Sequence, residues 1–261
     1  MQPLKQVFLK NYLFYLTFLF LLFATCSKED EVELPRDVAV QVVEDEKSLE
    51  TFLSSHFYNY EDFQNPDVQP EIIIDTLSGA NADKIPLIDQ VVKQMVRVRT
   101  ADSIFVYHPL YTLVAREGIG RSPSIVDSTY LSYEGLLLNK SQFDRSFAPI
   151  WFDLTSVVRG FREGMPALKS GEFTVDENNN TTFSNYGQGA LFMPSGLGYY
   201  NNASGGIPAY SPLIFKVNLY LVKQTDHDGD GILSADEFDR DGDGVPDDTD
   251  GDSIPDYLDA D

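Results

Sequence analysis

The sequence predicts an α+β fold built on an antiparallel sheet, and three observations carry that expectation. Residues 104–114, 128–138 and 212–222 are dominated by β-branched and aromatic side chains, the composition of strands. Residues 47–60 and 156–169 are short helical candidates. Strands and helices do not alternate one for one, so the βαβ rhythm of a parallel sheet is missing.

At the amino terminus Lys5 and Lys10 precede an apolar run from about Tyr12 to Ala24. A charged stretch followed by an apolar run shorter than roughly 20 residues predicts a cleaved secretion signal over 1–25 rather than a membrane-spanning helix. Cys26 is the single cysteine, so an exported chain offers it no disulfide partner. LLFATC resembles a bacterial lipoprotein box, which implies lipidation at Cys26. SKEDE after it resembles the surface-export signal of Bacteroidota lipoproteins. The expected address is an exported outer-membrane lipoprotein, on the periplasmic or the outer face, held by its acyl chains.

Residues 26–46 are acidic and contain Pro35, as a lipidated tether would. In 47–60 Leu49, Phe52, Leu53 and Phe57 fall at helical spacing, which predicts one amphipathic helix in an amino-terminal extension over 47–114. The stretch 61–100 is mixed, with loop signals at NPD and SGANAD. A body over 115–224 follows. Ser156 is placed to open its short helix and Gly171 to close it. GEFTVDENNNTTFSNYG predicts a hairpin around an Asn-rich turn.

Net charge is −22, and fifteen acids against one arginine place −14 of it in residues 226–261. Without a basic stripe to replace phosphate counterions, nucleic acid is a poor partner. His56 and His108 have no metal-ligand spacing, and neither a Gly-rich phosphate loop nor a Ser/His/Asp order stands out.

Three ordered blocks then give the body a family resemblance. YLSYEGLLLNKSQFDRS (130–146), PIWFDLTSVVRGFREGMPALKSG (149–171) and MPSGLGYYNNASGGIPAYSPLIFKVNL (193–219) resemble, in order, the blocks of FKBP-type peptidyl-prolyl cis-trans isomerases. The resemblance implies an FKBP-like antiparallel sheet wrapped around a short helix, and proline-containing polypeptides as substrates. It also implies a site. Tyr133, Phe143 and Asp144 would form one wall, Val157 and Val158 the lip, and Phe161 the floor under the prolyl ring. Tyr199 would aim its hydroxyl at the substrate, with Ile207 and Phe215 closing the far side. Phe161 stands where the family usually has Trp, Tyr200 where it has Gly, and Ile150 where an aromatic is expected, beside Trp151.

Such residues suit the chemistry. Peptide-bond rotation is opposed by a resonance barrier of about 18–20 kcal/mol, and X–Pro isomerisation is slow. Water stabilises the charge-separated planar amide more than the twisted one. A dry ring-lined slot removes that advantage without a nucleophile or a metal, and donors aimed at the twisted carbonyl add to the effect. A non-enzymatic alternative is an FKBP-fold surface scaffold or chaperone, with the tail as interaction element or spacer.

The tail reads DHDGDGILSADE from Asp226 to Glu237. Calcium takes six to eight oxygens, which a twelve-residue loop supplies at positions 1, 3, 5, 7, 9 and 12 around a glycine at 6. Asp226, Asp228, Asp230, Ile232, Ser234 and Glu237 fill those positions, with Gly231 at the turn. Asp239, Asp241, Asp243, Asp247 and Asp250 repeat a related spacing, and Asp248, Asp250, Asp252, Asp256 and Asp259 begin a third. The segment resembles thrombospondin type 3 repeats, which implies structural Ca2+ over 225–261. The strand-like entry argues against a full helix–loop–helix pair.

Overall fold

A computed structural model describes residues 35–260 except 67, 101 and 243. The expected secretion signal, Cys26, the first part of the tether and Asp243 lie outside the described residues. Among the described residues, no helix is long and apolar enough to cross a membrane.

Six antiparallel strands make the main sheet, in spatial order β3 (Val91–Arg99), β4 (Phe105–Arg116), β9 (Gly187–Met193), β10 (Leu213–Lys223), β5 (Ser128–Leu137) and β6 (Gln142–Asp153). The α+β expectation therefore holds. Side chains alternate across the sheet, as a period of two requires. Leu191, Met193, Phe215, Val217 and Leu219 face one core, shared with Phe161, Met165 and Leu168 from helix α2 (Arg159–Gly164) and its 3₁₀ extension. Ala190, Phe192 and Ile214 face a second core, filled by Leu49, Phe52 and Leu53 of helix α1 (Val38–Ser55). The body is thus three layers, helix on sheet on helix.

The amino-terminal region departs from the sequence expectation in three ways. Helix α1 begins at Val38, inside the stretch read as tether, and ends at Ser55. Asp37 caps it, its Oδ1 accepting from Ala39 N at 2.8 Å and Val40 N at 3.1 Å. The buried positions of its first half are Gln41 and Asp45, so hydrophobic spacing could not mark them. His56–Tyr58 forms β1, paired antiparallel with β2 (Ile74–Thr76). Finally, β3 and β4 belong to the main sheet, so the stretch 47–114 supplies one edge of the body as well as the layer over its second face.

The second helical candidate shortens as well. Helix α2 spans six residues between 3₁₀ turns at Leu154–Ser156 and Met165–Ala167. Asp153, not Ser156, supplies a capping side chain, accepting from Thr155 N at 2.9 Å. A Cβ on Gly164 would sit 2.7 Å from Leu191 Cδ2, so glycine here lets the helix lie close on β9. The expected hairpin is present as β7 (Glu172–Val175) and β8 (Thr181–Ser184).

Helix α1 is fixed to the 3₁₀ turn Ser195–Leu197, just after β9, by a polar contact between distant residues. Asp45, 2% exposed, accepts from Ser195 N at 2.8 Å, Ser195 Oγ at 2.6 Å and Gln41 Nε2 at 2.8 Å. Burial holds its carboxyl above the usual range, and the hydrogen bonds from Ser195 and Gln41 oppose that. Asp45→Ala strands those donors in the interior. We expect it to lower the unfolding free energy by about 2–4 kcal/mol, read by chemical denaturation.

Candidate functional site

The three sequence blocks meet on the α2 face of the sheet. Strand β5 contributes Tyr133, β6 Phe143 and Asp144, and β10 Phe215. Val157 and Val158 lead into α2, which carries Phe161, while Tyr199 and Ile207 stand on the loop between β9 and β10. Phe161, Phe215 and Ile207 belong to one core cluster, and Tyr133, Phe143, Val157, Val158 and Tyr199 pack against it half-buried. Eight of the nine residues singled out from sequence are therefore members of one cluster. The ninth, Asp144, is tied to it by Tyr133, whose hydroxyl donates to Asp144 Oδ2 at 2.6 Å.

The rings meet edge to face, the arrangement their quadrupoles favour. Phe161 and Phe215 lie 5.2 Å apart at 89°, and Phe143 and Phe215 lie 5.6 Å apart at 87°. Phe152 joins the set at 5.3 Å from Tyr133 and 5.9 Å from Phe161. Gly135 makes this approach possible, because a Cβ there would lie 2.6 Å from the Phe143 ring and 3.2 Å from Phe215. The glycine of the Y-E-G triplet thus has a steric cause.

Burial is the main force pushing the Tyr133 hydroxyl's pKa up, followed by the hydrogen bond to Asp144 and its charge. The phenol stays protonated, with Asp144 as acceptor. An apolar, ring-lined surface with a carboxylate and two phenols at its margin can desolvate a ligand and offer it few, directed polar contacts.

The family's glycine position is occupied by Tyr200 at φ +51°, in the left-handed region that glycine favours. Two contacts hold it there. Its hydroxyl donates to Arg36 O, and its ring meets Tyr210 at 5.2 Å and 87°. Trp151 is half-exposed and packs with Tyr130, whose ring also meets Phe183 and Tyr220. Neither is part of the ring cluster. Sequence reasoning missed the supports of the Tyr199 loop, Asp45 at Ser195 and Arg36 at Tyr200 and Tyr210, because residues 150 or more positions apart leave no local signal. His108 is buried as a structural histidine. Desolvation, helped by the charge of Arg159, pulls it down to about 4, so its imidazole is neutral.

The tail folds as repeated loops. The first aspartate of each accepts from the backbone N–H five residues on: Gly231 N to Asp226 at 3.1 Å, Gly244 N to Asp239 at 2.8 Å and Ser253 N to Asp248 at 3.1 Å. The ninth residue's side chain accepts from the second residue's N–H: His227 N to Ser234 Oγ, Arg240 N to Asp247 Oδ2 and Thr249 N to Asp256 Oδ1. Carboxylate oxygens of Asp226, Asp228 and Asp230 come within 4.8 Å of one another, as do those of Asp248, Asp250 and Asp252. Ser234, Asp247 and Asp256 thus have side-chain oxygens committed to loop hydrogen bonds, and Asp256 also pairs with Arg240 at 3.0 Å. The approach is from strand β10 and one helical turn follows at Ser234–Glu237, so no helix–loop–helix pair forms.

The donor set fits a hard cation. Glu237 is 3% exposed, and its Oε2, like Asp228 Oδ2, is buried with no hydrogen-bond partner. Burial pushes the Glu237 carboxyl up, and the charges of Asp230, Asp228 and Asp226 add to this. A divalent ion would reverse that field. Glu237 also lines a cavity of about 200 Å³ with Asp250 and Asp259, which brings ends of the first and later loops together.

No family model matches the chain. It is 33% identical over 115 residues to the peptidyl-prolyl cis-trans isomerase Mip of Coxiella burnetii, covering 42% of this chain and 44% of that protein. It is 30% identical over 129 residues to the FKBP-type peptidyl-prolyl cis-trans isomerase FkpA of Escherichia coli, covering 48% and 40%. The crystal structure of FkpA from Escherichia coli aligns with a TM-score of 0.37 at 28% identity, over 49% of this chain and 51% of that one. The chain spans less than half the length of these two curated relatives. Over somewhat less than half of its length the chain is therefore similar to FKBP-type peptidyl-prolyl cis-trans isomerases.

Proposed function

We propose that the chain is an FKBP-type peptidyl-prolyl cis-trans isomerase acting on X–Pro bonds of exported or surface proteins and assisting their folding. The observation that carries this is the convergence of eight residues from three separated blocks on one ring cluster, with Asp144 bonded to Tyr133 at its edge. A prolyl ring would enter between Tyr133, Phe143 and Ile207 and rest toward Phe161. Rings on all sides remove water, which raises the planar amide relative to the twisted one. The Val158 N–H and the Tyr199 hydroxyl would donate to substrate carbonyls. Asp144 fixes the Tyr133 phenol and sets the field around the amide.

The tail, in this reading, binds structural Ca2+ through Asp226, Asp228, Asp230, the Ile232 carbonyl and Glu237, and through the later aspartates. The ion supplies charge neutralisation, and the loops supply its oxygens. Cys26 would carry the lipid anchor to the outer membrane. A second reading is a catalytically weak scaffold or chaperone. It draws on the depth of the floor: Phe161 is 2% and Phe215 6% exposed, so rings must shift before a prolyl ring reaches them.

An isomerisation assay on a proline peptide separates the two. The wild type should exceed the uncatalysed rate, and Asp144→Ala and Tyr199→Phe should each lower kcat/KM by about tenfold, as loss of one directed contact does. Wild-type activity at background would leave the scaffold reading. Calcium should protect residues 226–261 from protease, and a chelator should abolish that protection. Equal digestion in both would remove calcium from the account.

A further inference from the structure

The tail does not stand clear of the body. It touches one segment of it on both sides of the lip. Before the lip, His227 Nε2 meets Asp153 Oδ2 at 3.3 Å, while Asp153 Oδ1 accepts from Thr155 N and Oγ1 at 2.9 and 2.7 Å. After it, Arg159 donates to Gly244 O at 3.4 Å and to Arg97 O at 2.9 Å. One turn on, the Arg162 guanidinium lies 5.6 Å over the ring of Phe238, which is 4% exposed and packs on Tyr257. Val157, Val158 and Phe161 lie inside that bracket.

The contacts of His227 and Gly244 are set by acidic loops. His227 sits between Asp226 and Asp228, and its Nδ1 lies 2.7 Å from Ser234 Oγ, the ninth loop residue. Gly244 is held by its N–H to Asp239, the first residue of the second loop. The His227 ring also meets Tyr257 at 5.6 Å and 84°, joining the first loop to the end of the tail. Loop geometry is therefore transmitted to Asp153 and Arg159 through one or two contacts. Clustered carboxylates repel one another unless a cation is present, so the geometry depends on loading.

We infer that cation loading of the tail braces residues 153–164 and thereby sets the lip of the prolyl slot, with His227 as the positioning residue that couples them. This rests on the reading of the slot and of the calcium loops given above. Coupling between two sites is reciprocal. A ligand that orders the lip must tighten calcium binding by the factor with which calcium tightens that ligand.

The test is amide hydrogen exchange at residues 154–164 in the full chain, with calcium and with chelator, beside calorimetric calcium titration. In the wild type, calcium should slow exchange there by about tenfold, the signature of a local opening suppressed by binding. His227→Ala removes the coupling side chain, and Asp153→Asn keeps an oxygen for Thr155 but loses the charge facing His227. Both should still take up calcium and protect the tail, and both should lose most of the effect at 154–164. Calcium uptake with unchanged exchange at 154–164 in the wild type would overturn the coupling while leaving the calcium reading intact. So would full protection at 154–164 in both variants. No calcium uptake at all, up to about 10⁻³ M, would remove the calcium reading and the coupling with it.

Discussion

Burial of the central sheet on both faces is the constraint that orders this structure. Strand β9 is buried at all seven positions, with Leu191 and Met193 in one core and Ala190 and Phe192 in the other. A slip of one residue in its pairing with β4 or β10 would exchange the two sets and ruin both cores together. The register is thus doubly specified, and the register places Tyr133 opposite Val217 and Gly135 opposite both Phe215 and Asp144. The ring cluster follows from strand pairing before any side-chain preference is considered.

Helix α1 is the element that makes the second core possible. It also reaches past that core. Through Asp45 it fixes Ser195, whose carbonyl accepts from Gly198 N and Tyr200 N, the turn on either side of Tyr199. A helix on one face of the sheet therefore governs a loop that belongs to the site on the other. Burying a charged group is costly, and here three hydrogen bonds from Ser195 and Gln41 offset part of that cost.

Much of the ring cluster of the candidate site was legible because its residues lie in compact blocks whose spacing survives in the chain. The strands over 104–114, 128–138 and 212–222 were legible through composition, as they match β4, β5 and β10. Strand β9 was not, because a strand covered on both faces has no polar alternation, and GQGALFM carries two glycines besides. Strand β3 was not, because VVKQMVRVR at a sheet edge mixes charge with apolar residues on both sides. The start of α1 was hidden by its buried Gln41 and Asp45. The tail's loops were legible through glycine and aspartate spacing, whereas their docking through His227 and Arg159 is a long-range contact that no window of sequence contains.

Tyr200 and Tyr210 both hold Arg36 by its backbone, one through the carbonyl and one through the N–H at 3.0 Å. Arg36, two residues before helix α1, is therefore pinned to the loop between β9 and β10 that carries Tyr199. A mechanical load arriving from the preceding segment is borne by two phenols and by the ring of Tyr210 beneath the Arg36 guanidinium at 4.3 Å. The Arg36 guanidinium also donates to Gln41 Oε1 at 2.8 Å and meets Glu44 Oε2 at 3.4 Å, so helix α1 shares that load. One residue thus ties the loop that carries Tyr199 to the start of helix α1, so tension on Arg36 is felt by both at once.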